Sequence, residues 1–193
     1  MSKVLEAFSR DHVNLSALLD ILERQISNLD GVGVIDLEIV ELILGYIERY
    51  AEQCHHPTED LIYEALTARR MAIGNYMSGL HAEHANLADL TDKLHSKVVE
   101  ISRGKSSADD ELVEAANQFI KTYRRHMELE DTFLFPAARD NLSDRDWEDI
   151  DARAMVHARH AFAKNVQERF QALRDYIHRL QRINVTEGIP LSD

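Results

Sequence analysis

Long apolar runs are missing from this 193-residue chain, and the nearest candidate, Ile39 to Ile47, is interrupted by Glu41 and Gly45. No segment therefore approaches the roughly 18 to 20 apolar residues that cross a bilayer, and the N-terminus lacks an apolar signal core. Cysteine is nearly absent: Cys54 alone excludes an internal disulfide and suits a reducing compartment. The chain has only 7 glycines and 3 prolines, which excludes a collagen-like or low-complexity polymer. Positive charge is in short supply, since 22 Lys and Arg face 34 Asp and Glu for a net charge of -12. That sign opposes phosphate backbones and anionic headgroups, so the expectation is no nucleic-acid partner and no membrane partner; the missing spanning run and signal core make a cytoplasmic location the expectation. Alternating strand patterns and internal repeats are also missing.

What is present is helical periodicity in a chain long enough for one well-buried core. Phe8, His12, Leu15, Leu19, Leu22, Ile26 and Leu29 recur at three- and four-residue steps, which predicts an amphipathic helix over residues 3–29, closed by the Asp30-Gly31-Val32-Gly33 turn. A second helix is expected over about 36–66, kinked at Pro57, a third over about 70–102 and a fourth over about 108–139. Short connections between four long helices predict an all-α fold: an up-down-up-down four-helix bundle over residues 1–142.

Ser143, with Asp146 three positions on, reads as a helix start. Beyond it Met155, Phe162, Val166, Phe170, Leu173, Ile177 and Leu180 form a near-heptad stripe, and residues 153–182 carry seven Arg and Lys against two acids. Residues 143–183 are therefore expected to be a C-terminal helical extension that packs on the bundle or, as a homodimer contact, on a second subunit. Residues 184–193 read as a flexible tail.

The chemistry lies in histidines and glutamates placed on the four expected helices. His12 is on the first; His55 and Glu59 are on the second; His84, with His81 three residues before it, is on the third; His126 and Glu130 are on the fourth. A four-residue step puts His55 and Glu59, and likewise His126 and Glu130, on one helix face as local clamps. Each clamp sits on an apolar stripe, where unpaired imidazoles and carboxylates would cost several kcal/mol to bury, and a metal removes that penalty by coordinating them. His56 is a further candidate, because it stands four before Asp60 and Pro57 can rotate the local face. Tyr63 and Tyr123 lie one turn from the clamps and offer either hydroxyl support or packing, and Cys54 reads as a small buried residue.

These residues resemble the hemerythrin-like, or hemerythrin HHE cation-binding, family of bacterial proteins. The likeness is carried by Asp11-His12, by His55-His56-Pro57-Thr58-Glu59-Asp60, by Glu83-His84, and by His126-Met127-Glu128-Leu129-Glu130-Asp131 followed by Leu134-Phe135-Pro136; it covers roughly residues 8–140. The resemblance implies a four-helix bundle holding two iron ions (Fe2+/Fe3+) bridged by carboxylates and an oxo or hydroxo group. It also implies His12, His55, His56, Glu59, His81, His84, His126 and Glu130 as the metal-ligand set. The oxygen carriers of the family place two third-helix histidines four apart and a fourth-helix aspartate five past its histidine. Here His81 and His84 are three apart and Glu130 is four past His126, a pattern more similar to the bacterial and iron-sensing versions of the domain.

The function expected from this pattern is a non-haem di-iron protein that binds dioxygen or a related small diatomic in sensing, storage or transport. The alternatives are a di-iron enzyme acting on peroxide, nitric oxide or oxygen, and an iron-storage or iron-sensing protein. Ferritin-like oxidases carry two Glu-x-x-His motifs. Only Glu52 to His55 fits that spacing here, which disfavours their chemistry.

Overall fold

A computed structural model describes residues 3–28, 35–69, 79–157 and 166–187, apart from the side chains of residues 52, 53, 80, 81, 155–157, 166, 167 and 180–187. Every regular element among the described residues is helical. In chain order these are α1 (Lys3–Ser27), α2 (Leu37–Tyr50), α3 (His56–Ala68), α4 (Leu80–Ser102), α5 (Asp110–Leu129), α6 (Phe135–Asn141), α7 (Asp144–His157) and α8 (Val166–Glu187). Two five-residue π-helical turns join them without a loop, Ala51–His55 between α2 and α3 and Glu130–Leu134 between α5 and α6.

The helix ends follow from local chemistry. Asp36 caps α2 by accepting from the Ile39 N–H at 3.2 Å, and Asp109 caps α5 by accepting from Leu112 at 3.1 Å. At the end of α4, Gly104 takes φ 69°, a left-handed conformation that a glycine adopts without a Cβ penalty. Its N–H donates to Ile101 and that of Lys105 to Glu100, both at 2.9 Å, which satisfies the last carbonyls. At the Ser143 start of α7, Asp146 reaches back one turn, its Oδ2 accepting from the Ser143 backbone at 2.7 Å and from its hydroxyl at 2.6 Å.

The second and fourth expected helices are each interrupted rather than continuous. Proline has no N–H to donate, and in a straight α-helix its ring would meet the carbonyl four residues earlier. Ahead of Pro57 and of Pro136 the chain relieves this by widening: the His56 N–H reaches back five residues to Ala51, and that of Phe135 reaches five residues to Glu130. The distortion thus lies in the turn before each proline. Both turns fall among the candidate ligands.

Packing joins α1 to α2 and α5, α2 to α4, and α4 to α5, so each of these four helices touches two others. Their apolar stripes form two separate clusters. The larger contains Leu15, Leu18, Leu19, Leu22, Ile43, Leu44, Ile47, Leu94 and Phe119; the smaller contains Leu5, Phe8, Leu61, Ile62, Leu66, Leu134 and Phe135. The expected C-terminal extension is two helices with separate docking faces. Ile150 of α7 joins the smaller cluster and Arg153 pairs with Glu64 at 2.7 Å, whereas Phe170 and Ile177 of α8 are buried in the larger. α8 continues to Glu187, past the expected end at residue 183, and residues 188–193 of the expected tail lie outside the described ones. No described helix is long and apolar enough to cross a membrane.

Candidate metal centre

Between the two apolar clusters lies a buried polar layer. It contains His12 from α1, His55 and His56 at the first π turn, Glu59 from α3, His84 from α4, His126 from α5 and Glu130 at the start of the second π turn. All seven are buried, Glu59 completely. His81 belongs to α4, but its side chain lies outside the described residues.

The layer divides into two groups of four residues whose donor atoms lie within 4.8 Å of one another: His12, His55, Glu59 and Glu130, and His56, Glu59, His84 and His126. Glu59 belongs to both. Its Oε1 stands 3.1 Å from His55 Nε2 and 3.7 Å from His12 Nε2, while its Oε2 is 3.6 Å from His84 Nε2. Glu130 mirrors it, with Oε2 3.3 Å from His12 Nε2 and Oε1 3.0 Å from His126 Nε2 and 3.7 Å from His84 Nε2. Each carboxylate therefore offers one oxygen to each side.

Three of these contacts, at 3.0 to 3.3 Å, are short enough for hydrogen bonds, and the other three, at 3.6 to 3.7 Å, are not. The Nε2 atoms of His12, His84 and His126 and all four oxygens of Glu59 and Glu130 are buried without a hydrogen bond of acceptable geometry. Such groups cost about 1–3 kcal/mol each when unsatisfied, and more when charged. They aim past one another into shared space. Imidazole nitrogens and carboxylate oxygens at two adjacent points suit a pair of first-row transition-metal ions, so the residues present fit such a group.

The other ring nitrogens are committed. His12 Nδ1 lies 3.0 Å from Asp131, His55 Nδ1 3.3 Å from Asp11, His84 Nδ1 3.1 Å from Asp60, and His126 Nδ1 3.4 Å from Glu83. A carboxylate behind an imidazole fixes the tautomer with Nδ1–H outward and leaves Nε2 as the ligand atom. Each of the four acids is the chain neighbour of a residue in the layer yet serves a histidine on another element. Asp11 next to His12 serves His55; Asp60 next to Glu59 serves His84; Glu83 next to His84 serves His126; Asp131 next to Glu130 serves His12.

Around the centre, aromatic rings close one end. Phe8 packs edge-on against His55 at 5.0 Å and stacks on Phe135 at 5.2 Å, and Phe135 lies 5.3 Å from the His12 ring. On the other side His56 stacks on His84 at 4.2 Å, with Tyr123 6.1 Å away. Cys54 is buried beside the layer, outside both groups of four.

The electrostatics are those of two buried carboxylates seeking positive charge. Burial alone pushes the His12, His55 and His126 rings down. Asp131, Glu130 and Glu59 more than offset this for His12, which rises to about 11. Glu59 and Asp11 raise His55 to about 9, and Glu130 and Glu83 raise His126 to about 10. His84 is raised in the same way by Asp60 and Glu130. Burial and the Glu130 charge push Glu59 up, but His55 and His12 prevail and hold it at about 2; Glu130 is likewise held well below the usual carboxylate range. Protons on imidazoles play the part that cations would play. A metal ion must displace them.

Sequence spacing set Asp60 against His56 and assigned no role to Asp11, Glu83, Asp131 or Tyr50; the structure places Asp60 at His84 Nδ1. The available signal was adjacency, because each of the four acids sits beside a residue of the layer, but which ring it serves depends on how the helices pack. Compared with known proteins, the chain matches the family model of the hemerythrin HHE cation binding domain over residues 3–138. No curated protein and no solved structure matches it.

Proposed function

Because the chain belongs to the hemerythrin HHE cation-binding family, we propose that its buried layer holds two iron ions and binds dioxygen or a related small diatomic. The observation that carries this reading is the pair of carboxylates, Glu59 and Glu130, each presenting one oxygen to either side of the layer. One ion would be held by His12 and His55, the other by His56, His84 and His126, with both glutamates bridging. The up-down-up-down bundle supplies the four helices from which these ligands converge, and a reducing cytoplasm suits both the free thiol and ferrous iron.

Ferrous iron, when bound, supplies the electrons that a small diatomic accepts. The chain's own residues set the conditions. Two carboxylates and five neutral imidazoles leave two divalent ions with net positive charge, which stabilises the negative charge a small diatomic takes on as it accepts electrons. Phe8 and Phe135 keep water from one end of the layer. Asp131, Asp11, Asp60 and Glu83 hold the rings against rotation.

Iron-replete expression followed by metal analysis should give two iron atoms per chain. Mixing the anaerobic ferrous protein with oxygen in a stopped-flow spectrometer should then produce a visible charge-transfer band. One iron atom or none overturns the two-ion reading. A loaded ferrous protein inert to oxygen over hours overturns oxygen binding, and sustained consumption of hydrogen peroxide would move the assignment to an enzyme.

A further inference from the structure

The four carboxylates behind the imidazoles are held differently. The side chains of Asp131, Glu83 and Asp60 are 52%, 45% and 26% exposed, so all three reach solvent, whereas that of Asp11 is only 11% exposed. Asp11 Oδ2, which faces His55 Nδ1 at 3.3 Å, also accepts a 2.5 Å hydrogen bond from the hydroxyl of buried Tyr50. One carboxylate oxygen on α1 thus binds two side chains of the neighbouring segment at once.

Those two side chains bracket the first π turn. Tyr50 is the last residue of α2, and His55 is the last residue of the turn. At about 3.6 residues per turn, positions five apart lie about 140° from each other around a straight α-helix. A π turn, bonded from each N–H to the carbonyl five residues back, brings such positions onto nearly the same face. The widened turn therefore lets Tyr50 and His55 meet on one oxygen, and their shared contact in return holds the turn against α1. Ring packing in the larger apolar cluster needs only a phenylalanine at position 50; what the hydroxyl contributes is the bond to Asp11.

Resting on the di-iron reading, we propose that Tyr50 is a positioning residue for the ion held by His12 and His55: its hydroxyl fixes Asp11, and Asp11 fixes the His55 ring with Nε2 in the layer. Its effect falls on one ion, because His55 belongs to the group of His12, Glu59 and Glu130 and not to that of His56, His84 and His126. Tyr50 itself touches neither ion.

The test is stepwise titration of the metal-free protein with cobalt(II), read by visible absorption with metal analysis at each step. Tyr50→Phe should weaken one of the two binding steps about 10-fold, as for outer partners of metal ligands, and leave the other unchanged. The weakened step should be the one that His55→Ala abolishes and His126→Ala spares. Phe170→Ala loosens the same apolar cluster from α8, and both steps should survive it unchanged, which separates loss of position from a general loss of stability. Equal weakening of both steps by Tyr50→Phe, no weakening, or weakening of the step that His126→Ala abolishes overturns the proposal. A second arm uses no metal. Nuclear Overhauser contacts between the His55 and Phe8 rings, which stand edge-on at 5.0 Å, should be present in the metal-free wild type and lost in Tyr50→Phe, while those between the stacked His56 and His84 rings persist. A wild type that binds fewer than two ions overturns the two-ion reading, and this arm then decides on Tyr50. Unchanged His55–Phe8 contacts in Tyr50→Phe overturn the Tyr50 assignment whatever the metal content.

Discussion

Glu59 is fully buried, with histidine nitrogens near both of its oxygens. Removing it strips a donor from both groups of four at once, whereas removing His55 or His126 affects one. Glu59→Ala should therefore lose both ions and His126→Ala one, while the helices persist because their stability rests on apolar stripes. Metal analysis beside far-ultraviolet circular dichroism checks this, and full metal content in Glu59→Ala would contradict the bridging assignment. A milder effect is expected one layer out. Asp131 touches only the far nitrogen of His12, so Asp131→Asn should keep the stoichiometry but weaken affinity by about 10- to 100-fold, as seen for outer partners of metal ligands. Competition with a chelator measures it.

At the scale of elements, the carboxylates link neighbouring helices in a closed circuit. α1 supplies Asp11 to His55 at the first π turn, α3 supplies Asp60 to His84 on α4, α4 supplies Glu83 to His126 on α5, and the second π turn supplies Asp131 back to His12 on α1. Rotating any one helix would break two of these contacts. The two π turns set that rotation, since an extra residue in a turn shifts every later side chain around the helix axis. Pro136→Ala restores the missing N–H and removes the clash behind the second turn. The variant should stay helical but hold less metal, because Glu130 opens that turn. Unchanged metal content with a continuous helix would show that the turn does not position the ligand. By contrast Asp109→Ala, which removes the α5 cap and an ion pair with Lys97 away from the layer, should lower the melting temperature and leave metal binding intact.

At the scale of the molecule, the polar layer ties stability to pH in the metal-free state. The folded chain raises His12 to about 11, His126 to about 10 and His55 to about 9 from an ordinary 6.5; that contribution is complete below 6.5 and fades as pH rises through the folded values. It holds Glu59 at about 2 from an ordinary 4.5, a contribution present above 4.5 and lost as pH falls toward 2. Both are complete only between 4.5 and 6.5, where the metal-free melting temperature should peak. Loaded protein needs neutral imidazoles, so its melting temperature should hold up or rise as pH climbs from 6.5 toward 9. Parallel melting curves for the two forms test this, and identical alkaline declines would remove metal from the layer. The larger cluster behaves independently: Phe170→Ala should cost about 3–5 kcal/mol without altering metal content, since α8 packs there and not on the layer.

The sequence by itself determined the helical class, most helix spans, and the histidines and glutamates that share a buried layer. These are local quantities: a three- to four-residue step fixes which side chains share a face, and His55 with Glu59 or His126 with Glu130 needs nothing beyond one turn of helix. It also marked Pro57 as a point of distortion, because the missing N–H is a covalent fact. Only the tertiary structure decided that the distortion precedes each proline as a π turn, since widening a turn is worthwhile only when packing on both sides holds the helix in place. The same limit applies to Asp11, Asp60, Glu83, Asp131 and Tyr50. Their partners are 24 to 119 residues away, and no local periodicity carries the rotation of one helix against another. His56 shows the boundary between the two: its place beside a proline left its direction open in sequence, and the turn before it brought the ring against His84 and His126.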